Sequence, residues 1–296
     1  MSARSGLTRS EIPRSMCMSR WRWNPDTSGG CAWRDWGFPS CQLRPIARAI
    51  MQPSQARGWA MDYGDGVARM LEDLTARGVE QMVLLIRHSA REYHRDRHDL
   101  ENQLTPEGRA LARSLGERLP NDLFVRGYAS PPERCMETAA LILDGYRAVG
   151  GRIGRHRPVE GLGVFYALDQ MRMWRAMMAS GNRDAEPGSP GGGMHPFLAE
   201  WFAGRVPMDM LIPADQAARL IIGILAEKYA QQREPRALDV CVSHDMTLYL
   251  VRNQILGLAP EAYPVNYLDG VVYYQEAGQR WLESDTGHRQ PVKHRG

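Results

Sequence analysis

An arginine and a histidine follow a short apolar run, and these two residue types together can bind and attack a phosphoryl group. Residues 83–86 are typical of a buried parallel strand, and Arg87 and His88 come next. Ligand sites of parallel sheets lie at the carboxyl ends of the strands. Guanidinium groups match phosphoryl oxygens, and a neutral imidazole can act as a nucleophile. This position therefore predicts a phosphate pocket that contains a nucleophile.

A second strand is predicted to run into a helix in a similar way. Residues 124–130 are typical of a strand, and Ser130 would be the N-cap of the helix that follows. Pro131 would be its first residue, and Glu133 would complete a capping box. Arg134 falls in the first turn, where the helix dipole disfavours a cation. Its placement there indicates a bound anion nearby.

A third strand, residues 238–244, ends on His244, and Asp245 and a helical pattern follow it. His244 would donate a hydrogen bond to the phosphoryl group. Asp245 is a candidate general acid that would protonate the leaving oxygen. An aspartate between a strand and a helix can also be a simple N-cap, so this structural alternative stays open.

The three motifs, in this order, resemble those of the histidine phosphatase superfamily, which includes phosphoglycerate mutase-like proteins and acid phosphatases. The resemblance extends over about residues 81–276 and depends on three ordered motifs, which is more specific than any single one. It implies a phosphoglycerate mutase-like fold, a three-layer α/β/α sandwich with a mostly parallel central sheet. It also implies a phosphohistidine intermediate on His88 and no metal or other cofactor.

Further site residues follow from the same resemblance. Arg91 would bind phosphoryl oxygens together with the two arginines already named, although an ion pair with Glu92 is the structural alternative. The family usually has glycine at the position of Ser89, which would add a hydroxyl beside the phosphate. Glu160 competes with Asp245 as the proton donor, because mutase-like relatives use a glutamate from a comparable region.

The favoured function is that of a metal-independent phosphatase that hydrolyses phosphomonoesters or phosphorylated protein side chains through a phosphohistidine. Two alternatives stay open. A phosphotransferase of the phosphoglycerate mutase type would need the phosphohistidine to survive until it meets an acceptor hydroxyl. A catalytically silent module that binds a phospholigand is the other alternative, and Ser89 is the one hint of it in the sequence.

The charge distribution argues against a nucleic-acid partner. Residues 1–60 contain nine arginines, no lysine and three acids, a net charge of +6. The whole chain carries +3, so residues 61–296 carry −3. Affinity for nucleic acid depends mainly on neutralising phosphates, and the predicted catalytic domain lacks the charge for that. The expected partner is a small phosphorylated substrate or a phosphoprotein.

The cysteines and the hydropathy indicate a cytoplasmic protein. Five cysteines are present without a C-x-x-C spacing, and no pattern among them is typical of a disulfide framework. No apolar run approaches the roughly 18 residues that a membrane span needs. We therefore expect neither a membrane partner nor stabilising disulfides.

Two domains of unequal character are predicted. Residues 1–60 lack helical or strand periodicity and are rich in Arg, Ser, Trp and Pro, so a disordered or loosely attached extension is expected. Residues 61–296 would form the histidine phosphatase domain.

Apolar periodicity predicts the other elements of that domain. The predicted helices begin at residues 64, 106, 131, 168 and 214, and further strands cover residues 152–159 and 271–274. Residues 181–193, rich in glycine and proline, would form a flexible loop that could act as a lid. The charged segment 93–99 is interpreted as a solvated loop rather than a second anion site or a metal site.

Overall fold

A computed structural model of the chain describes residues 63–93, 101–180 and 193–292. Three of the sequence-based predictions lie outside these ranges. They concern the extension over residues 1–60, most of the charged segment 93–99, and residues 181–192 of the flexible loop.

Strands and helices alternate along most of the described chain. The strands are β1 (Gln81–Arg87), β2 (Phe124–Ala129), β3 (Arg152–Pro158), β4 (Ala237–Ser243), β5 (Gly270–Glu276), β6 (Gln279–Ser284) and β7 (Arg289–Pro291). The helices are α1 (Asp65–Ala76), α2 (Pro106–Glu117), α3 (Glu133–Ala148), α4 (Gln170–Ser180), α5 (His195–Phe202), α6 (Ala214–Ala230) and α7 (Asp245–Leu256). A short 3-10 helix, Glu160–Leu162, follows β3.

These strands form one sheet in the order β3-β2-β4-β1-β5-β6-β7. The first four strands of that order are parallel to one another. β5, β6 and β7 are antiparallel to their neighbours and extend the sheet on one side. The strands that carry the three motifs, β2, β4 and β1, are therefore direct neighbours in the parallel part.

Helices cover both faces of the sheet, and the alternation of side chains along β1 shows how. Val83 and Leu85 pack into a core with α6 and α7, whereas Met82 and Leu84 pack into a second core with α1, α2 and α3. A strand that is buried on both faces needs an uninterrupted apolar sequence, which is what β1 has. The predicted three-layer α/β/α sandwich is confirmed.

The N-terminus of α2 is confirmed as predicted. The Thr105 hydroxyl accepts a hydrogen bond from the Gly108 amide at 2.9 Å, and Pro106 is the first residue of the helix. Proline is well suited to that position, since its missing N–H would have no partner within the helix.

The capping role predicted for Ser130 is wrong. α3 begins at Glu133, its N-cap residue is Pro132, and no side chain caps it. The Ser130 hydroxyl lies instead 2.9 Å from the Nε2 of His244. A helix end can be satisfied by water, but a buried imidazole nitrogen needs a protein partner, and this requirement determines where the hydroxyl points.

Three elements escape the sequence-based prediction. α5 spans only His195–Phe202, and β6 and β7 lie at the edge of the sheet, where β7 is exposed throughout. Short helices and short edge strands offer too few residues for an apolar periodicity to be recognised.

The cysteines of the described residues, Cys135 and Cys241, are both buried, and neither is part of a disulfide there. Within the same residues, no helix combines the length and the apolar character that crossing a bilayer requires.

Two glycines allow α2 and α3 to approach each other closely. A Cβ atom at Gly116 would lie 2.0 Å from the carbonyl oxygen of Ile142, and one at Gly145 would lie 2.0 Å from that of Arg113. Both contacts are with backbone, which cannot rotate away as a side chain can. The crossing therefore tolerates only glycine at these two positions. It also places the N-terminal ends of both helices beside the end of β1.

We predict that Gly145→Ala destabilises the protein by ~1–3 kcal/mol, because the added methyl group overpacks the crossing. Gly223→Ala is the matched control, since Gly223 lies in α6 with no atom within 4 Å of its would-be Cβ. That change should stabilise by up to about 1 kcal/mol through helix propensity alone. Urea unfolding monitored by circular dichroism measures both. Equal effects of the two substitutions would contradict the assigned role of the crossing.

Candidate active site

Three strand ends converge at one edge of the parallel sheet. The His88 amide donates to the Ser243 carbonyl at 3.0 Å, and the Ser130 amide donates to the Val242 carbonyl at 2.9 Å, so the strands stay paired up to their last residues. The imidazoles of His88 and His244 consequently face each other, with ring centroids 5.8 Å apart and planes at 73°. The structure thus brings together the two histidines that the sequence analysis assigned to one pocket.

His88 is held in one tautomer. Its side chain is almost fully buried, and Nδ1 lies 2.8 Å from the carbonyl oxygen of Ser89. A carbonyl oxygen can only accept, so Nδ1 carries the ring proton and Nε2 keeps its lone pair. Burial, followed by the positive charges of Arg134 and Arg87, holds the pKa of His88 well below its usual 6.5. The ring is therefore neutral at physiological pH, with a lone pair on Nε2.

Ser89 connects the nucleophile loop to two helices. Its amide donates to the Thr138 hydroxyl on α3 at 3.1 Å, and its own hydroxyl donates to the Gly108 carbonyl on α2 at 2.7 Å. The φ angle of Ser89 is negative, so the turn accommodates a Cβ atom without strain. These contacts give Ser89 a structural role, and its role in substrate binding stays a prediction.

His244 is oriented from both of its ring nitrogens. Arg134 Nη2 lies 3.4 Å from Nδ1. A guanidinium group can only donate, so Nδ1 accepts and the ring proton lies on Nε2. Nε2 then donates to the hydroxyl of Ser130 at 2.9 Å. Arg134 is buried with only 3% of its surface exposed, and its charge is held against the two imidazoles.

Arg87 is fixed by contacts on several sides. Nη1 donates to the Val265 carbonyl at 2.7 Å, and Nη2 forms an ion pair with Asp245 at 3.0 Å. The guanidinium carbon lies 4.2 Å from the centre of the Tyr267 ring. The group is buried, so its orientation is set by protein rather than by water.

Asp245 is not the N-cap that the sequence left open as the structural alternative, because the N-cap residue of α7 is His244. Asp245 is the first residue of α7, its Oδ1 accepts from the Met246 amide at 2.8 Å, and its Oδ2 pairs with Arg87. Burial alone would raise the pKa of Asp245, but Arg87 and the Met246 amide hold it below its usual value. Its carboxyl group is therefore ionised at neutral pH.

Glu160 lies in the 3-10 turn after β3, and its side chain is exposed. The turn belongs to the same edge of the sheet, because the Ser243 hydroxyl donates to the Leu162 carbonyl at 2.6 Å. A Cβ atom at Gly163 would lie 3.4 Å from the Ser130 hydroxyl oxygen. The turn that carries Glu160 thus contacts residues of the pocket through Leu162 and Gly163, and the Glu160 side chain itself is exposed.

Arg91 follows β1, and its backbone forms an isolated bridge with Leu104. Its Nη1 donates to the Glu92 carbonyl at 3.2 Å, so the contact with this neighbour involves the backbone. Its positive charge contributes to the low pKa of Asp245, so it acts on the same pocket.

Two residues of the site were missed by the sequence analysis. Ser130 was interpreted as a helix cap although it holds His244, and Tyr267, which lies under Arg87, was not singled out. Ser130 carried a signal, since it follows directly on a strand of the sheet. Tyr267 lies in a loop far along the chain from Arg87, so no local pattern could have found it.

Part of the sequence matches the model of a known family. Residues 83–149 match the family model of the histidine phosphatase superfamily, branch 1. The resemblance to histidine phosphatases is confirmed. The matched segment contains the first two motifs, and His244 of the third motif lies beside His88 in the structure.

Solved structures of two phosphatases and of a phosphoglycerate mutase are similar to this chain at low identity. A phosphoserine phosphatase mutant from Entamoeba histolytica, in complex with phosphoserine, is 17% identical, with 72% of this chain and 95% of that chain covered and a TM-score of 0.41. For a putative alpha-ribazole-5'-P phosphatase from Escherichia coli the values are 19%, 69%, 95% and 0.44. For a phosphoglycerate mutase from Bacillus anthracis they are 14%, 74%, 95% and 0.44. No curated protein matches the chain.

We predict that kcat/KM for a phosphate substrate, measured against pH, falls only on an acid limb below pH 6.5, because protonation of His88 would abolish activity and its pKa is lowered.

Arg134→Ala should move this fall to higher pH, since the substitution removes one positive charge that lowers the pKa of His88. It should also lower turnover by at least ~100-fold, because one donor to the phosphoryl oxygens is lost. Phosphate substrates with different second ionisation constants are the control, because only a limb caused by the substrate moves with them. A wild-type limb at or above 6.5 would contradict the account.

Proposed function

We propose that this protein hydrolyses phosphomonoesters through a phosphohistidine formed at Nε2 of His88. The observation that supports this most directly is the hydrogen bond from His88 Nδ1 to the Ser89 carbonyl, which leaves the Nε2 lone pair available in a pocket of buried arginines. The substrate class is a small phosphorylated metabolite or a phosphorylated protein side chain.

In the first step, Nε2 of His88 attacks phosphorus. A bond forms between nitrogen and phosphorus, and the bond between phosphorus and the leaving oxygen breaks. The leaving oxygen takes its electron pair with it and needs a proton. Arg87 and Arg134 face the phosphoryl oxygens. Their planar guanidinium groups stabilise the negative charge that these oxygens carry in the transition state. The Nε2–H of His244, now shared with Ser130, is an additional donor to those oxygens.

In the second step, water attacks phosphorus and the bond to Nε2 breaks. The product is inorganic phosphate, and the imidazole returns to its original tautomer. The proton that water loses returns to the carboxylate that donated one in the first step, so that group ends each cycle as it began.

We assign the proton donor as Glu160 rather than Asp245. Asp245 is paired with Arg87, and this pairing opposes protonation of its carboxylate. The Glu160 side chain is exposed, so it can take a proton from solvent and deliver it to a departing leaving group. Asp245 then serves to hold Arg87.

The same proposal includes a cytoplasmic location and no cofactor requirement. A nucleic-acid partner is not expected, because residues 61–296 carry a net charge of −3. The two buried free thiols are compatible with a reducing compartment.

We predict that His88→Ala abolishes hydrolysis of p-nitrophenyl phosphate and the formation of a phosphoenzyme. The phosphoenzyme is detected by brief exposure to a 32P-labelled phosphomonoester and denaturation, and a phosphohistidine is released by acid and preserved by alkali. His288→Ala is the matched control, since His288 is exposed and contacts Tyr263 and Thr286 away from the pocket. A wild type that is inactive on a broad phosphoester panel but still binds phosphate would favour the silent binding module.

We predict that Glu160→Gln slows phenyl phosphate by ~100-fold but leaves p-nitrophenyl phosphate much less affected, because only the poorer leaving group needs the proton. Asp245→Asn should slow both substrates to a similar degree, because it loosens Arg87. Steady-state kinetics on the two substrates separates these patterns. Selective loss with Asp245→Asn would make Asp245 the donor, and selective loss with neither would remove both assignments.

A further inference from the structure

One loop, residues 264–269, contacts both the guanidinium group and the backbone of Arg87. Val265 accepts from Nη1 through its carbonyl, and the Asp269 carbonyl accepts from the Arg87 amide at 2.9 Å. Tyr267 supplies the third contact, with the guanidinium carbon 4.2 Å from its ring centre. The three contacts come from alternate residues of the loop.

These contacts restrict different motions of Arg87. The N–H groups of a guanidinium point outward in its plane, so the hydrogen bond to Val265 and the ion pair with Asp245 oppose rotation of Arg87 within that plane. The guanidinium carbon lies over the Tyr267 ring, so the ring opposes a tilt of the group toward it. A cation over an aromatic face is attracted by it, more strongly when the pair is shielded from water; here Arg87 is buried and Tyr267 is half-buried. Tyr267 is thus the contact that keeps the donor edges of Arg87 in one plane.

The loop is anchored by a buried arginine. Arg252 has only 1% of its side chain exposed and forms an ion pair with Asp285, and its Nη1 donates to the Pro264 carbonyl at 3.4 Å. The other carboxylate oxygen of Asp285 accepts from the Gly270 amide at 3.0 Å. Both ends of the loop therefore bind to one almost completely buried ion pair. Removal of either partner would be costly, because the other charge would be left buried and unpaired.

The backbone next to Tyr267 is strained and held in place by the core. Leu268 has a φ of 60°, in the left-handed region that is unfavourable for a branched side chain, and its side chain is completely buried. Such conformations persist only where the surroundings enforce them, and they concentrate at functional sites. The burial of Leu268 thus enforces the turn that presents Tyr267 to the pocket.

The ring of Tyr267 is also held from its other neighbours. Tyr63 meets it edge-on with ring centroids 5.7 Å apart, and His88 lies 5.9 Å away at a tilt of 45°. The ring is therefore placed between the nucleophile and the arginine that stands beside it in sequence.

We propose that Tyr267 is a positioning residue for phosphoryl transfer, whose ring face fixes the tilt of Arg87 so that its donors meet the phosphoryl oxygens. The proposal rests on the proposed function for its kinetic consequence, but its effect on phosphate binding does not. Tyr267 acts through Arg87 and need not touch the substrate. It belongs to the site although no residue near it in sequence carries a motif.

Tyr267→Leu and Tyr267→Phe form the matched pair that tests this. Tyr267→Phe keeps the ring face, and Tyr267→Leu removes it while keeping an apolar side chain. We expect the inhibition constant for inorganic phosphate to rise about tenfold in Tyr267→Leu and to stay within about twofold of wild type in Tyr267→Phe. The acid limb of kcat/KM should also move upward in Tyr267→Leu only, since a loosened Arg87 disfavours the His88 imidazolium less.

Several outcomes would overturn the proposal. Phosphate inhibition and an acid limb unchanged in Tyr267→Leu would show that the ring does not position Arg87. Equal impairment of both variants would assign the effect to the hydroxyl. If Tyr267→Leu does not fold, as judged by thermal melting, Tyr267→Met takes its place and the same criteria apply.

The failure of this proposal is distinguishable from failure of the proposed function. If wild type hydrolyses phosphoesters and Tyr267→Leu has the same phosphate inhibition constant and the same acid limb of kcat/KM, the positioning role is wrong and the proposed function stands. If wild type has no activity on phosphoesters, the proposed function is wrong. Calorimetric titration of inorganic phosphate into the same proteins would then test the positioning role, with the same tenfold loss expected and equal affinities contradicting it.

Discussion

The hydrogen bond from the His88 ring to the Ser89 carbonyl is the interaction on which the chemistry proposed for this protein depends. A neutral imidazole has one ring proton, and this hydrogen bond fixes it on Nδ1, so that Nε2 keeps its electron pair. Burial and two neighbouring guanidinium groups disfavour a second proton. A nucleophile that is neutral because of its surroundings, and that faces positive charge, is suited to a dianionic phosphate ester.

The rest of the fold keeps that arrangement in place. The end of β1 carries the nucleophile, and α2 and α3 hold the loop after it through Gly108 and Thr138. The close crossing of the two helices, made possible by Gly116 and Gly145, sets the distance between those supports. On the opposite side, a loop that is anchored on a buried ion pair holds Arg87. The positive charges of the pocket are thus placed by backbone geometry before any substrate arrives, which is the condition for electrostatic catalysis.

The local part of this structure could be predicted from sequence, and the part that depends on distant contacts could not. Strand ends followed by Arg87, by Ser130 and by His244 were visible because an apolar run and the residue after it are neighbours in sequence. The alternation of strands and helices indicated a layered α/β fold, and the resemblance to a known family implied its three α/β/α layers. The partner of Ser130 was mistaken, because a cap and a cross-strand hydrogen bond have the same local sequence and only the buried His244 decides between them. Val265 lies 178 residues from Arg87, so its contact has no sequence signal at all.

Nitrogen NMR of 15N-histidine-labelled protein measures the state of His88 itself, because the shifts of its two ring nitrogens report both tautomer and protonation. We expect a proton on Nδ1, an unprotonated Nε2, and no titration of the ring until the pH is well below 6.5. A proton on Nε2, or a titration midpoint at or above 6.5, would contradict it, since the nitrogen that must attack phosphorus would then lack its electron pair.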